Sequence, residues 1–134
     1  MVNSITIGHV AKRTGISIEA IRFYERKGLI DAPARTDSGY RQFAEDHIQR
    51  LLFIQQAKSL GFSLMEIKEL LSIKEDPETG SREVKSLAKT KLQSIEEKIK
   101  ILQRMKKTLK ALVDSCPGEG PKRDCPILEA LDAK

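Results

Sequence analysis

The chain has 134 residues, 40% of them hydrophobic, and no Trp, enough for one modest globular unit plus an extended helix but too little for a large buried active site. Lys and Arg number 24 against 19 Asp and Glu, a formal charge of +5 that suits an anionic partner without dictating a fold. No run of about 18 uncharged apolar residues offers a membrane span, and the opening Met1-Val-Asn-Ser-Ile-Thr-Ile7 lacks the basic-then-apolar pattern of a secretory signal, so a cytoplasmic protein with no membrane partner is expected.

In chain order, apolar residues at 7, 10 and 11, a turn at Thr14-Gly15 and a cap at Ser17 predict helix, tight turn, helix. The second helix is expected from Ile18 to Lys27, ending at Gly28, where a left-handed residue can follow a helix. Ile18, Ile21 and Leu29 are placed inward, and Arg22, Tyr24, Glu25 and Arg26 on the other faces. Basic and aromatic groups beside an apolar stripe suit a major groove, although a solvated amphipathic helix has the same pattern. Residues 31–43, with Pro33 and the Asp37-Ser-Gly39 turn, predict a small hairpin or wing whose tip projects Arg35, Tyr40 and Arg41. Such groups hydrogen-bond phosphate oxygens and so fix position on a duplex without reading bases; a purely structural hairpin is the alternative. A helix from Ala44 to Ser59 follows, carrying Ile48, Leu51, Leu52 and Ile54, and a break at Gly61-Phe62 precedes a helix capped by Ser63 and running through Ser72. Leu64, Ile67, Leu70 and Leu71 form its inward face. Asp76-Pro-Glu-Thr-Gly80 reads as a linker.

Beyond the linker, Ala88, Leu92, Ile95, Ile99, Leu102, Lys106, Leu109 and Val113 alternate four and three apart, the spacing of a coiled-coil seam. Burying each Leu or Ile gains about 1.5–3 kcal/mol, so a partner helix is expected, with folding of the stripe onto the first domain as the alternative. Lys106 either sets the register or snorkels to solvent. Eight residues, Pro117–Asp124, separate Cys116 from Cys125, the only two cysteines, and Gly118, Gly120 and Pro121 let the segment turn back. The residues leave three readings open: a soft-metal clamp, a disulfide, and two unrelated buried thiols. A reducing cytosol weighs against the disulfide. No nucleophile, base and orienting group suggest an enzyme.

Ile7-Gly8, Ala20-Ile-Arg-Phe-Tyr-Glu-Arg-Lys-Gly-Leu-Ile30, Ser38-Gly-Tyr-Arg-Gln-Phe43 and Leu60-Gly-Phe-Ser-Leu64 resemble the MerR family of transcription regulators across essentially the whole chain. The resemblance implies an all-α fold with a small β wing: a winged helix-turn-helix DNA-binding domain (1–75), a linker (76–80), a dimerisation helix (81–114) forming an antiparallel coiled coil, and a metal-binding loop with a short C-terminal helix (115–134). It implies DNA contacts at Arg22, Tyr24, Tyr40 and Arg41, with Lys12 and Arg35 beside them. Cys116-Pro-Gly118 and Asp124-Cys-Pro-Ile-Leu128, with no Cys or His after Cys125, look most like the CueR-type sensors of monovalent copper, silver and gold. Ser81 stands where sensors of zinc, cadmium, lead or mercury carry a third cysteine, and the loop is one residue longer than in the copper sensors. The implied activity is that of a homodimer that binds and distorts promoter DNA so that RNA polymerase can engage.

Ligand counting agrees: two thiolates around Cu(I), Ag(I) or Au(I) leave one negative charge in a linear site, whereas zinc takes four ligands. His9 and His47 lie far upstream and read as surface or core residues. The residual charge would be eased by backbone N–H groups, such as those of a helix starting near Ser81 of the partner subunit. Competing readings are a same-fold sensor of a divalent metal or of thiol oxidation, and a coiled-coil metal chaperone with no DNA role.

Overall fold

Thr6 opens the first helix: its hydroxyl accepts the His9 backbone N–H, α1 runs Ile7–Thr14, and Gly15 closes it at φ 73°. The computed structural model describes residues 5–132 and divides into two compact units, Met1–Ser86 and Leu87–Lys134. In the first unit, the Ser17 hydroxyl accepts the Ala20 N–H at 3.1 Å and starts α2, Ile18–Arg26. Gly28, at φ 77°, ends the helix as expected, one residue after the Lys27 cap. The wing is β1, Ala34–Arg35, antiparallel to β2, Arg41–Gln42, with Arg35 opposite Arg41. Its tip is closed by Thr36 N–H to Tyr40 O at 2.8 Å and Tyr40 N–H to the Thr36 hydroxyl at 3.0 Å. Its base is joined to the N-terminal segment by paired Ile5–Phe43 backbone bonds of 3.1 and 2.8 Å.

α3 is Glu45–Ser59 and α4 is Leu64–Glu75. Ser63 and Glu66 cap α4 reciprocally, at 3.2 and 2.7 Å, the two-way bonding that a Ser-x-x-Glu start favours. α4 continues past the expected end at Ser72 because its last turn has tertiary partners: Glu75 pairs with Arg50, and Lys74 Nζ lies 4.7 Å from the Phe53 ring centroid. Arg50 also donates to Leu29 O at 2.6 Å, joining α3 to the segment after α2. Asp76 then accepts the Glu78 N–H and the Thr79 hydroxyl at 2.9 and 2.7 Å, so the expected linker begins as an ordered turn.

Val10, Ile21, Leu29, Phe43, Ile48, Leu51, Ile54, Ile67 and Leu71 are almost wholly buried and form the core of this unit. Two placements on α2 differ from expectation. Ile18 lies 36% exposed at the first helical position, and Tyr24, expected on an outer face, is only 6% exposed. The inward stripe is Ile21 and Tyr24, three residues apart, because the tyrosine ring is large enough to fill the core beside Phe23, 5.9 Å away between centroids.

α5 is a single helix, Ser81–Ser115, with no buried residue. A 3-10 turn, Lys122–Asp124, and α6, Pro126–Leu131, follow in the second unit.

Candidate metal centre and nucleic-acid interface

Cys116 ends α5, its N–H directed to Leu112 O at 3.1 Å. Positive φ angles at Gly118 (75°) and Gly120 (90°) turn the chain back, which side chains bearing a Cβ would resist. Cys125 is the N-cap of α6, with Pro126 at the first helical position. That arrangement is favourable, since the proline has no N–H to leave unsatisfied at a helix start. The two half-buried sulfurs end 3.8 Å apart, far beyond a disulfide bond of about 2.05 Å. One soft ion about 2.3 Å from each sulfur would sit between them at a bent angle, and a linear site would need the sulfurs to part to about 4.6 Å.

The Cys125 thiol is held below its ordinary value, first by the Leu128 backbone N–H, then by the Ile127 N–H and the Cys116 thiol, with burial opposing them. N–H groups at a helix start favour the thiolate, the form that ligates metal. These N–H groups of Ile127 and Leu128 belong to the start of α6. Ser81 itself is the exposed first residue of α5. Among the described residues no group of three or more His, Cys, Asp and Glu side chains is placed to hold a metal ion. His47 serves the packing of the first unit. Its Nδ1 accepts the Ala44 N–H at 3.0 Å, Nε2 faces Asp31 O at 3.2 Å, and the ring packs edge-on against Phe43. His9 is exposed on α1.

On the first unit, Lys12 and Arg22 are exposed on the two helices of the helix-turn-helix. Tyr40 is 74% exposed at the wing tip. Arg35 is exposed as well, its guanidinium donating to Gly39 O at 2.8 Å. Arg41, expected to project from the tip with them, turns its side chain toward α2 instead: Nε is 3.4 Å and Nη2 3.5 Å from the Glu25 carboxylate. Tyr24 has its ring in the core, with Lys58 Nζ 5.9 Å from its centroid. The structure therefore groups Arg35 with Tyr40 on the tip, and turns Tyr24 and Arg41 inward.

Sequence reasoning misses two participants. Glu25 reads only as a polar face residue, and no local signal names its partner sixteen residues away. The N–H groups of Ile127 and Leu128 are likewise unassigned, although Cys125-Pro126 is itself a cap signature. Among the described residues no helix is long and apolar enough to cross a membrane.

Comparison with known proteins places the chain. The family model for MerR HTH family regulatory proteins matches residues 5–74, and the model described as MerR, DNA binding, matches 48–112. The HTH-type transcriptional regulator CueR of Yersinia pestis is 44% identical over 128 residues, 95% of this chain and 91% of that protein. The heavy metal-dependent transcription regulator 2 of Rhizobium meliloti is 39% identical over 127 residues, 95% of this chain and 86% of that protein. Among solved structures, the transcription regulator PbrR691 of Ralstonia metallidurans in complex with lead(II) superposes with a TM-score of 0.83 at 34% identity, covering 98% of this chain and all of that one. The chain belongs to the MerR family of helix-turn-helix regulatory proteins, alongside metal-responsive transcription regulators and not enzymes.

Proposed function

We propose that the protein is a cytoplasmic, homodimeric transcription activator that answers to a monovalent soft ion, Cu(I), Ag(I) or Au(I), held by Cys116 and Cys125. The observation that carries this reading is that the two cysteines of the chain face one another across one loop, with no third cysteine anywhere in the sequence. A two-thiolate site satisfies a two-coordinate monovalent ion and underfills a zinc site. The ion, when bound, supplies a cross-link between the end of α5 and the start of α6. The chain's own part is to present Cys125 as a thiolate through the α6 N–H groups and to turn Cys116 toward it. The proposed seam is the exposed stripe of Leu92, Ile95, Ile99, Leu102, Leu109 and Val113, paired with a second copy. Ser81, lacking a thiol, is proposed to restrict the site to two sulfurs.

On the DNA side, Lys12 and Arg22 with the tip residues Arg35 and Tyr40 are proposed to grip a promoter half-site, phosphate contacts giving affinity and helix residues near Arg22 the base reading. Occupancy of the sulfur pair biases the dimer between two shapes, and the favoured one distorts the promoter for RNA polymerase. A divalent soft ion is the second reading, favoured by the lead(II)-bound PbrR691.

The test is transcription in vitro, under strict reduction, from a promoter recovered by selection with the purified protein, across monovalent and divalent metals. Cu(I), Ag(I) or Au(I) should raise transcript output, and Cys116→Ser or Cys125→Ser should abolish the response. Ser81→Cys should extend it to divalent ions. Induction by zinc alone would sink the ligand-count argument, and a response that follows oxidant without metal would favour a thiol switch.

A further inference from the structure

The wing sets a problem that α2 resolves. Its register places Arg35 directly opposite Arg41, and like charges facing one another across a two-stranded ribbon destabilise it. The two side chains diverge. Arg35 turns toward the tip, onto Gly39 O at 2.8 Å. Arg41 turns toward α2, where its guanidinium nitrogens lie 3.4 and 3.5 Å from the two Glu25 oxygens. The Arg41 and Glu25 side chains are only 26% and 18% exposed, so the pair is shielded from solvent in a way that the tip arginine is not. Arg41 Nε is shut off from solvent and has no hydrogen-bond partner among the described residues. The contact with Glu25 is therefore a close charge pairing and not a fork of short bonds, which would measure about 2.7–2.9 Å.

We infer that Glu25 and Arg41 form a strut that sets the pose of the wing against the second helix of the helix-turn-helix, leaving Arg35 and Tyr40 to meet phosphate. Arg41 is then a positioning residue, and so is Glu25. The inference rests on the DNA-binding reading above and changes the part Arg41 plays in it. Were Arg41 to leave for a phosphate, the Glu25 carboxylate would remain part-buried and unpaired beside a polyanion, and removing one member of such a pair is costly. Two residues in each strand are too few to be stable alone; the Ile5–Phe43 bridge and the buried Phe43 ring hold the base of the hairpin, and the Glu25–Arg41 pair links its second strand to α2.

The experiment measures promoter affinity of the full-length protein as a function of KCl concentration. Five proteins are compared: the parent, Glu25→Gln, Arg41→Gln, Arg35→Gln, and the exchanged pair Glu25→Arg with Arg41→Glu. Glu25→Gln and Arg41→Gln should each weaken binding by about tenfold, with combined effects well short of additive. Neither should change the salt slope, whereas Arg35→Gln should lower it by about one ion. The exchanged pair should recover most of the affinity, which a merely destabilised fold would not do. Tighter binding by Glu25→Gln, or a drop in slope for Arg41→Gln equal to that of Arg35→Gln, would make Arg41 a phosphate contact and overturn the strut. If the single variants melt below the assay temperature, the exchanged pair decides: folded but unrecovered, it overturns the idea. Failure of the parent to bind promoter DNA would instead bring down the DNA-binding reading, and the strut with it.

Discussion

The two units of this chain satisfy their apolar residues in opposite ways. Among the described residues every buried side chain lies between Val10 and Leu71, while α5 has none. The first unit closes a core around Leu51 and Ile54, both fully buried, and its local signals agree with its packing, from the Ser17 and Ser63 caps to the left-handed Gly28. The second unit leaves Leu102 61% and Leu109 57% exposed on a periodic stripe. The first unit is thus finished by its own folding, whereas the second, under the proposed pairing, is left to association, because a lone amphipathic helix has no second surface on which to bury its stripe.

The largest expected effect that tests this contrast is in the core. Leu51→Ala should lower the stability of the first unit by about 2–5 kcal/mol, read from urea unfolding followed by circular dichroism, whereas Leu102→Ala should leave that transition in place. Next comes the stripe: Ile99→Lys should weaken self-association by about a hundredfold, on the basis of about 1.5–3 kcal/mol for each buried Ile. Sedimentation over a concentration series checks this, and an unchanged dimer would mean that the seam lies elsewhere. A smaller change is expected at the α4 start, where Ser63→Ala should cost about 1 kcal/mol by removing one half of the reciprocal cap. The smallest concerns acid. The Glu45 carboxyl is held below its ordinary value, first by its hydrogen bond from Arg13. A depressed folded value means that the contribution is fully present above the unfolded value of about 4.3 and is lost as pH falls through the lower folded one. Unfolding midpoints of Glu45→Gln and parent should therefore converge as pH falls through the lowered folded value, the gap above that remaining modest because the pair is exposed.

Much of the first unit is legible in the sequence because its signals are local. Ser17 and Gly28 mark the ends of α2, Ser63-x-x-Glu66 marks the start of α4, and the Asp37-Ser-Gly39 turn marks the wing; each depends on residues within a few positions. Tyr24 and Arg41 escape sequence reasoning for the converse reason. A tyrosine among Arg22, Glu25 and Arg26 looks like a surface residue until the core around Ile21 is known to have room for its ring, and the position of Arg41 depends on a carboxylate from another element. In the second unit the thiol spacing and the heptad stripe are visible in the sequence. The N–H groups that favour the Cys125 thiolate are not, because they belong to a six-residue helix too short to announce itself by periodicity. Among the described residues no contact explains Lys106 in the stripe.

The bare stripe of α5 also has a genetic consequence under the proposed pairing. A copy whose operator-reading surface is ruined but whose stripe is intact would still recruit a healthy chain, and the mixed pair would hold only half an operator. Alleles damaged at Arg22 should therefore behave as dominant, and alleles damaged at Ile99 as recessive.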